Sequence, residues 1–179
     1  MELAEIVLRK TKPETEWIDG RAVRKVSPTR THARLQQRLG TALAAWAEGR
    51  GQCGPEWRFR LQPPGEARRP LVPDLAYVSD ERLRGLTYAE AEAPAFAPDV
   101  AIEILSPEDR PARLAAKLRV YFACGTRLVA IVDPRHRTVR LVDHANDRTI
   151  DEPGRFAHEA MPGFALDLTT LFRALDLPG

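Results

Sequence analysis

The sequence predicts an α/β protein of the α+β kind, with helices packed on a mixed central sheet. Three observations predict it. Apolar residues recur at helical spacing over about 28–49 and about 110–124. Alternating or apolar runs of strand character lie between and after those stretches, and Gly- or Pro-containing turns separate them. The order is a first hairpin, then α-β-β-β-α-β, then a further strand pair, and helices interleaved with strands imply a mixed sheet. The 179 residues carry no internal repeat, low-complexity tract or Gly/Ser linker, so a single domain spanning 1–179 is expected.

Residues 15–19 and 21–27 flank Asp19-Gly20, a strong hairpin signal, with Trp17, Ile18, Val23 and Val26 as apolar contacts. The first helix follows at about 28–49: Ser27 is its expected N-cap with Pro28 at the first helical position, and Leu35, Leu39, Ala42, Leu43 and Trp46 form its buried stripe. Residues 56–62 alternate like a half-buried strand before the turn Pro63-Pro64-Gly65. Leu71 to Val78 reads as a strand with an edge or bulge at Pro73, and 80–98 as an irregular excursion with a short helix around Ala89. Val100 to Leu105 reads as a central strand buried on both sides, stopped by Ser106-Pro107. The second helix, about 110–124, turns Leu114, Leu118, Tyr121 and Phe122 inward and ends at Gly125. Arg127 to Asp133 and Thr138 to Val142 are two more strands, and the tail from Phe164 to Phe172 ends in a helical turn or two.

Composition excludes several classes. At 44% hydrophobic and 29% charged the chain is neither disordered nor fibrous. A net charge of +2 gives no bulk argument for polyanion binding, so a nucleic-acid role has to rest on local placement. No apolar run approaches the roughly 18 residues that span a bilayer, so no membrane partner is expected. The start lacks the features of a signal peptide, and Cys53 and Cys124 form neither a disulfide framework nor a zinc site; a reduced, cytoplasmic protein is the expectation.

Glu103 lies in the most apolar strand, where an ionised carboxylate costs several kcal/mol unless it is compensated. A buried ion pair with an arginine would compensate it; so would a role as metal ligand or acid/base group. Asp74 follows Pro73 at the start of another strand. Two acids on successive strands can converge, and with a backbone carbonyl they make the hard oxygen set that Mg²⁺ or Mn²⁺ prefers. Only four of the 27 basic residues are lysines, and after residue 25 the chain carries 20 arginines and the single lysine Lys117. Lys117 falls about 60° from the centre of its helix's apolar stripe, where it can snorkel outward or reach toward the two acids. An ammonium offers a compact charge that Arg does not. His32, near the start of the first helix, and Glu16, in the hairpin, are further candidates, for each of which a structural role is the more common reading. His136, His144 and His158 show no metal spacing; Arg135, Arg137, Arg140 and the Arg58/Arg60 pair suit a solvated surface or phosphate contacts.

Several segments together resemble one family. They are Glu16-Trp17-Ile18-Asp19-Gly20, Ser27-Pro28 with His32, Arg69 to Ala76, and Pro98 to Pro107 followed by Lys117-Leu118, Tyr121 and Gly125. All resemble the Uma-two family, a bacterial group of restriction-endonuclease-like proteins, from about residue 12 to the Pro162-Gly163-Phe164 tail. The resemblance implies the PD-(D/E)-x-K nuclease fold, whose core order is also α-β-β-β-α-β. It implies Asp74 and Glu103 as the acids, with the carbonyl of Ile104 completing a site for Mg²⁺ or Mn²⁺. The superfamily's usual lysine slot is Leu105 here, and Lys117 is the matching lysine, moved to the following helix. Glu16 matches a further acidic position, and Glu16 or His32 would act in support. The implied activity is metal-dependent hydrolysis of DNA phosphodiesters, with Lys117 orienting the attacking water and a homodimer as the plausible assembly. Two other readings remain open: a non-catalytic nucleic-acid- or protein-binding domain on the same fold, and a phosphoesterase acting on small molecules.

Overall fold

The computed structural model describes residues 4–25 and 28–178. Its centre is a six-stranded mixed sheet in the order β10-β9-β8-β7-β6-β3, formed by β3 (Gly51–Pro55), β6 (Leu75–Ser79), β7 (Val100–Ile104), β8 (Leu128–Asp133), β9 (Thr138–Val142) and β10 (Asp147–Asp151). Only β7 and β8 are parallel, joined across α4 (Pro111–Ala123); the other neighbours run antiparallel. Three two-stranded ladders surround the sheet: β1 (Thr15–Ile18) with β2 (Arg21–Arg24), β4 (Phe59–Leu61) with β5 (Arg69–Leu71), and β11 (Arg155–Phe156) with β12 (Leu166–Asp167). The expected hairpin is present, and Asp19 (φ 48°) and Gly20 (φ 76°) carry the positive φ pair that its tight turn requires.

Two apolar clusters lie on the two faces of the sheet. On one face α1 (Arg30–Ala47) and α5 (Leu168–Phe172) set Leu35, Leu39, Leu43, Leu168 and Phe172 against Val100, Ile102 and Ile104. On the other face α4 sets Val120 and Tyr121 against Ala101, Val129 and Ile131, with Ile18 of the hairpin and Phe59 and Leu71 alongside. The excursion after β6 carries the short helices α2 (Asp80–Leu83) and α3 (Tyr88–Glu92). No described helix is long and apolar enough to cross a membrane.

The core order stands, but its first strand is β3, not residues 56–62. Gly51-Gln52-Cys53-Gly54-Pro55 has no apolar alternation; it is a strand because it pairs with β6 along its whole length. Gly51 is required there, since a Cβ would lie 2.2 Å from the Val78 carbonyl oxygen. Of 56–62 only β4 is a strand, and it pairs with β5 outside the main sheet. The expected Leu71–Val78 strand is likewise two strands, broken at Val72-Pro73-Asp74, because proline offers no N–H to a ladder. α1 is capped by Thr29, whose hydroxyl accepts from the His32 N–H at 3.3 Å; Ser27 and Val26 lie outside the described residues.

Candidate active site

The break at Pro73 leaves Asp74 just ahead of β6. The β6–β7 register pairs Leu75 with Ile102, so one step back along it brings Asp74 opposite Glu103. The β7-α4-β8 crossover lays α4 over the face on which Glu103 stands, and the first hairpin packs beside α4. Asp74, Glu103, Lys117 and Glu16 therefore meet at the carboxyl end of β7, each between 3% and 6% exposed.

The contacts form one lattice. Lys117 Nζ lies 2.6 Å from Glu103 Oε1 and 2.9 Å from Glu16 Oε1. Tyr121, one helical turn beyond Lys117, donates its hydroxyl to Glu103 Oε1 at 2.8 Å. Glu16 also accepts from the Val72 N–H at 2.8 Å. Asp74 Oδ1 pairs with Lys25 Nζ at 2.5 Å, and Lys25 also donates to the Val72 carbonyl at 3.0 Å. Asp74 Oδ2 accepts from the Ile104 N–H at 2.7 Å and faces His32 Nε2 at 3.2 Å, while the Asp74 carbonyl accepts from the Gln36 amide at 2.9 Å. All the expected site residues, Asp74, Glu103, Lys117, Glu16, His32 and the Ile104 backbone, thus come together.

Lys117 corrects the expected wheel. It is buried with Val120 and Tyr121, whereas Leu114, Leu118 and Phe122 are only half-buried. Two carboxylates waiting under α4 let an ammonium occupy the inward face. Arg58 and Arg60 are tied to Glu14 and Glu5 and do not line the site. Arg137 and Arg140 pair with surface acids.

Lys25, Gln36 and Tyr121 are site residues that sequence reasoning missed. The rarity of lysine pointed to Lys25 as well, since two of the chain's four lysines stand in this lattice. Tyr121, four residues after Lys117, shares its helix face.

Leaving His32 aside, three carboxylates face two ammonium groups, so the lattice is one negative charge in excess when fully ionised. The imbalance falls on Glu103. Burial pushes its carboxyl up; Lys117 pulls it down, and Asp74 pushes it further, leaving it at about 7. Burial also works against Asp74, but Lys25, His32 and Lys117 outweigh it and hold that carboxyl well below the usual range. Burial opposes charge on Lys117 too, yet Glu103, Glu16 and Asp74 hold its ammonium above the ordinary value. Burial and then Glu103 push the Tyr121 hydroxyl well up, so it remains a donor.

The lattice floors a cleft whose walls include Thr29 and His32 from the start of α1, Arg110 and Arg113 from the start of α4, and Arg24 from the hairpin. Its cavity volume of about 70 Å³ holds several waters, at about 10–15 Å³ each. Among the described residues no three His, Cys, Asp or Glu side chains gather as a metal-binding set. The donor chemistry that remains is two carboxylates, Asp74 and Glu103, in a pocket of excess negative charge. Hard oxygens and that charge suit a divalent cation.

The sheet with its α-β-β-β-α-β core has the restriction-endonuclease-like fold, and at the end of β7 it brings Asp74 and Glu103 together with a helix-borne lysine. The chain belongs to the Uma2 family, whose model, described as "Putative restriction endonuclease", matches residues 2–169. Among solved structures the fold is similar to a protein of Anabaena variabilis described as a "putative nuclease belonging to DUF820", with a TM-score of 0.83, 23% identity and 94% of each chain covered. No curated protein matches the chain. The family indicates a nuclease of the restriction-endonuclease-like kind, a hydrolase whose substrate is nucleic acid and whose class generally uses divalent metals; the likeness to the solved structure adds the fold.

Proposed function

We propose that the protein is a divalent-metal-dependent endonuclease that hydrolyses phosphodiester bonds of DNA, with Asp74, Glu103 and Lys117 as its catalytic residues. The observation that carries the reading is the convergence of three carboxylates and two of four lysines, from distant parts of the chain, on the floor of one open cleft. Asp74, Glu103 and the Ile104 carbonyl would hold Mg²⁺ or Mn²⁺. Such an ion, when bound, polarises the phosphodiester and supplies a water of lowered pKa. A divalent charge turns the excess of one negative into one positive, matching the single charge of a phosphodiester.

The chain's own residues do the rest. Lys117, held between Glu16 and Glu103, keeps one orientation and offers its donors to the attacking water and to developing negative charge. Glu16 and the Val72 N–H fix that lysine from behind. Lys25, His32 and the Ile104 N–H fix Asp74 against the end of β7. The reading extends to a cytoplasmic protein that cuts duplex DNA as a homodimer.

One observation favours a second reading, a non-catalytic nucleic-acid-binding domain. Both oxygens of Asp74 are already engaged by donors of the chain, as a purely structural lattice would require.

The test is cleavage of plasmid and single-stranded DNA with Mg²⁺ or Mn²⁺, beside calorimetric titration of Mn²⁺. Asp74→Asn, Glu103→Gln and Lys117→Ala are each expected to lose at least about 100-fold in rate, the scale of removing one transition-state donor. Equal activity in all four proteins would expose a contaminant. Parent protein that neither takes up Mn²⁺ nor cuts would establish the binding-domain reading.

A further inference from the structure

α4 carries more than Lys117 into the cleft. Arg113 and Lys117 stand at i and i+4 and share one face of the helix at about 100° per residue, and Arg110, the N-cap residue just ahead of Pro111, lines the same cleft. From Arg110 to Lys117 is about 10 Å of helix axis, at about 1.5 Å per residue. That is the axial length of about three nucleotides of a strand, at about 3.4 Å each. Lys117 ends this row at the buried floor, Arg113 is half-buried, and Arg110 is exposed at the mouth. Arg24 of the hairpin also lines the cleft and donates to the Lys12 carbonyl at 2.6 Å.

Among the described residues none of the three arginines forms an ion pair. The Arg110 side chain makes no capping hydrogen bond either. Asp109, an exposed acid that also lines the cleft, is engaged by the adjoining turn: it accepts from the Ser106 N–H at 2.7 Å and the Ser106 hydroxyl at 3.0 Å. Arg137, Arg140 and Arg155 on the surface are each matched to a carboxylate, whereas Arg127 and Arg135 are not among the described residues, so what sets the three cleft arginines apart is their place beside the floor. Guanidinium groups that line a cleft without carboxylate partners keep their forked donors available to phosphate oxygens.

We infer that Arg110, Arg113 and Arg24 form a phosphate-gripping track that holds the sugar–phosphate backbone of a polynucleotide beside the phosphodiester on the cleft floor. The inference rests on the nuclease reading and adds to it a substrate size: a strand of several nucleotides, not a mononucleotide. The three arginines position the strand and read no bases, so binding is independent of sequence at these contacts.

The test is the affinity of the full chain for a DNA duplex of about 20 base pairs, measured by fluorescence anisotropy over a series of salt concentrations, with EDTA present so that nothing is cut. For the variant Arg24→Ala/Arg110→Ala/Arg113→Ala, the slope of log K against log salt should fall by about 0.9 per lost contact, or by 2 to 3 in all, with at least a tenfold loss of affinity at about 0.1 M salt. Arg24→Lys/Arg110→Lys/Arg113→Lys should keep most of the slope. Arg127→Ala, which removes one exposed charge at the opposite end of β8, should change neither slope nor affinity. Circular dichroism and thermal melts confirm that each variant is folded.

A triple-alanine protein within twofold of the parent in slope and affinity would overturn the inference, as would a parent with no measurable duplex binding. The nuclease reading fails separately. A parent that binds with the arginine-dependent slope but never cuts DNA when metal is supplied keeps the track and loses the catalysis. A triple-alanine variant that cuts bis(p-nitrophenyl) phosphate like the parent, but cuts DNA poorly, shows that the track acts on the strand and not on the reacting bond.

Discussion

On one face of β7, Val100, Ile102 and Ile104 pack against the apolar stripe of α1; on the other, Ala101 packs under α4 and Glu103 carries a carboxylate to the same depth. The two faces belong to one five-residue strand and are both buried, yet they are stabilised by different means. The apolar face needs only shape, and its contributions are local and roughly additive. The charged face exists because four other segments deliver counter-charges or hydrogen bonds: the hairpin with Glu16 and Lys25, α1 with His32, the Pro73 break with Asp74, and α4 with Lys117 and Tyr121. Buried charges of this kind stabilise little in sum but are costly to unpair, so this face adds little net stability while tolerating few changes.

The largest expected effect follows directly. Lys117→Met keeps a similar shape but leaves Glu16 and Glu103 without their shared cation, and should destabilise the protein by about 3–5 kcal/mol in urea unfolding. Adding Glu103→Gln should recover part of that loss, because the second change removes a charge that the first left unpaired. A double variant whose loss equals the sum of the two single losses would show that the lattice does not act as a unit.

The second effect is a pH dependence confined to the charged face. Burial places the Glu103 carboxyl at about 7, against an ordinary value near 4.3 in the unfolded chain. Between those values the folded state holds a proton that the unfolded state has released. Stability must therefore fall as pH rises across this window, by at most about 1.4 kcal/mol per pH unit. Asp74 acts in the opposite sense. Its carboxyl is held below the ordinary value, so its contribution is present above about pH 3.9 and is lost as the medium becomes more acid. Urea midpoints at pH 4.5, 5.5 and 7 should decline in the parent and stay nearly level in Glu103→Gln.

The contrast between the faces also explains what the sequence made legible. β7 and α4 were readable because the apolar run Val100 to Leu105 and the helical spacing of 110–124 are local signals, and the odd residue in each, Glu103 and Lys117, stood out against them. β3 was not, because Gly51 to Pro55 has no strand pattern of its own and is a strand only through its ladder with β6. The split at Pro73 was half legible: proline signalled an interruption, but the re-pairing of β5 with β4 is a tertiary choice. The burial of Lys117 could not be read from a helical wheel, which ranks positions by hydrophobicity and cannot see acids arriving from other strands. Lys25 was missed because a basic residue at the end of a hairpin looks solvated, although its rarity as a lysine was as visible as that of Lys117.

The smallest effect tests the quiet face. Ile102→Val deletes one methylene from a fully buried side chain and should cost about 1 kcal/mol, within the usual range of about 0.5–1.5. Valine is at least as suited to a strand, so the loss is packing alone and should leave the urea m-value unchanged. Its pH dependence is the sharper readout. Among the described residues the titratable members of the apolar cluster around Ile102 are Tyr77 and the half-buried Cys53, both pushed up by burial and neutral at pH 4.5 and pH 7, so the cost should be the same at both. A cost that grew with pH would mean that loosening the apolar packing shifts Glu103, one residue along the strand, and that the two faces of β7 are coupled through the backbone instead of merely sharing it.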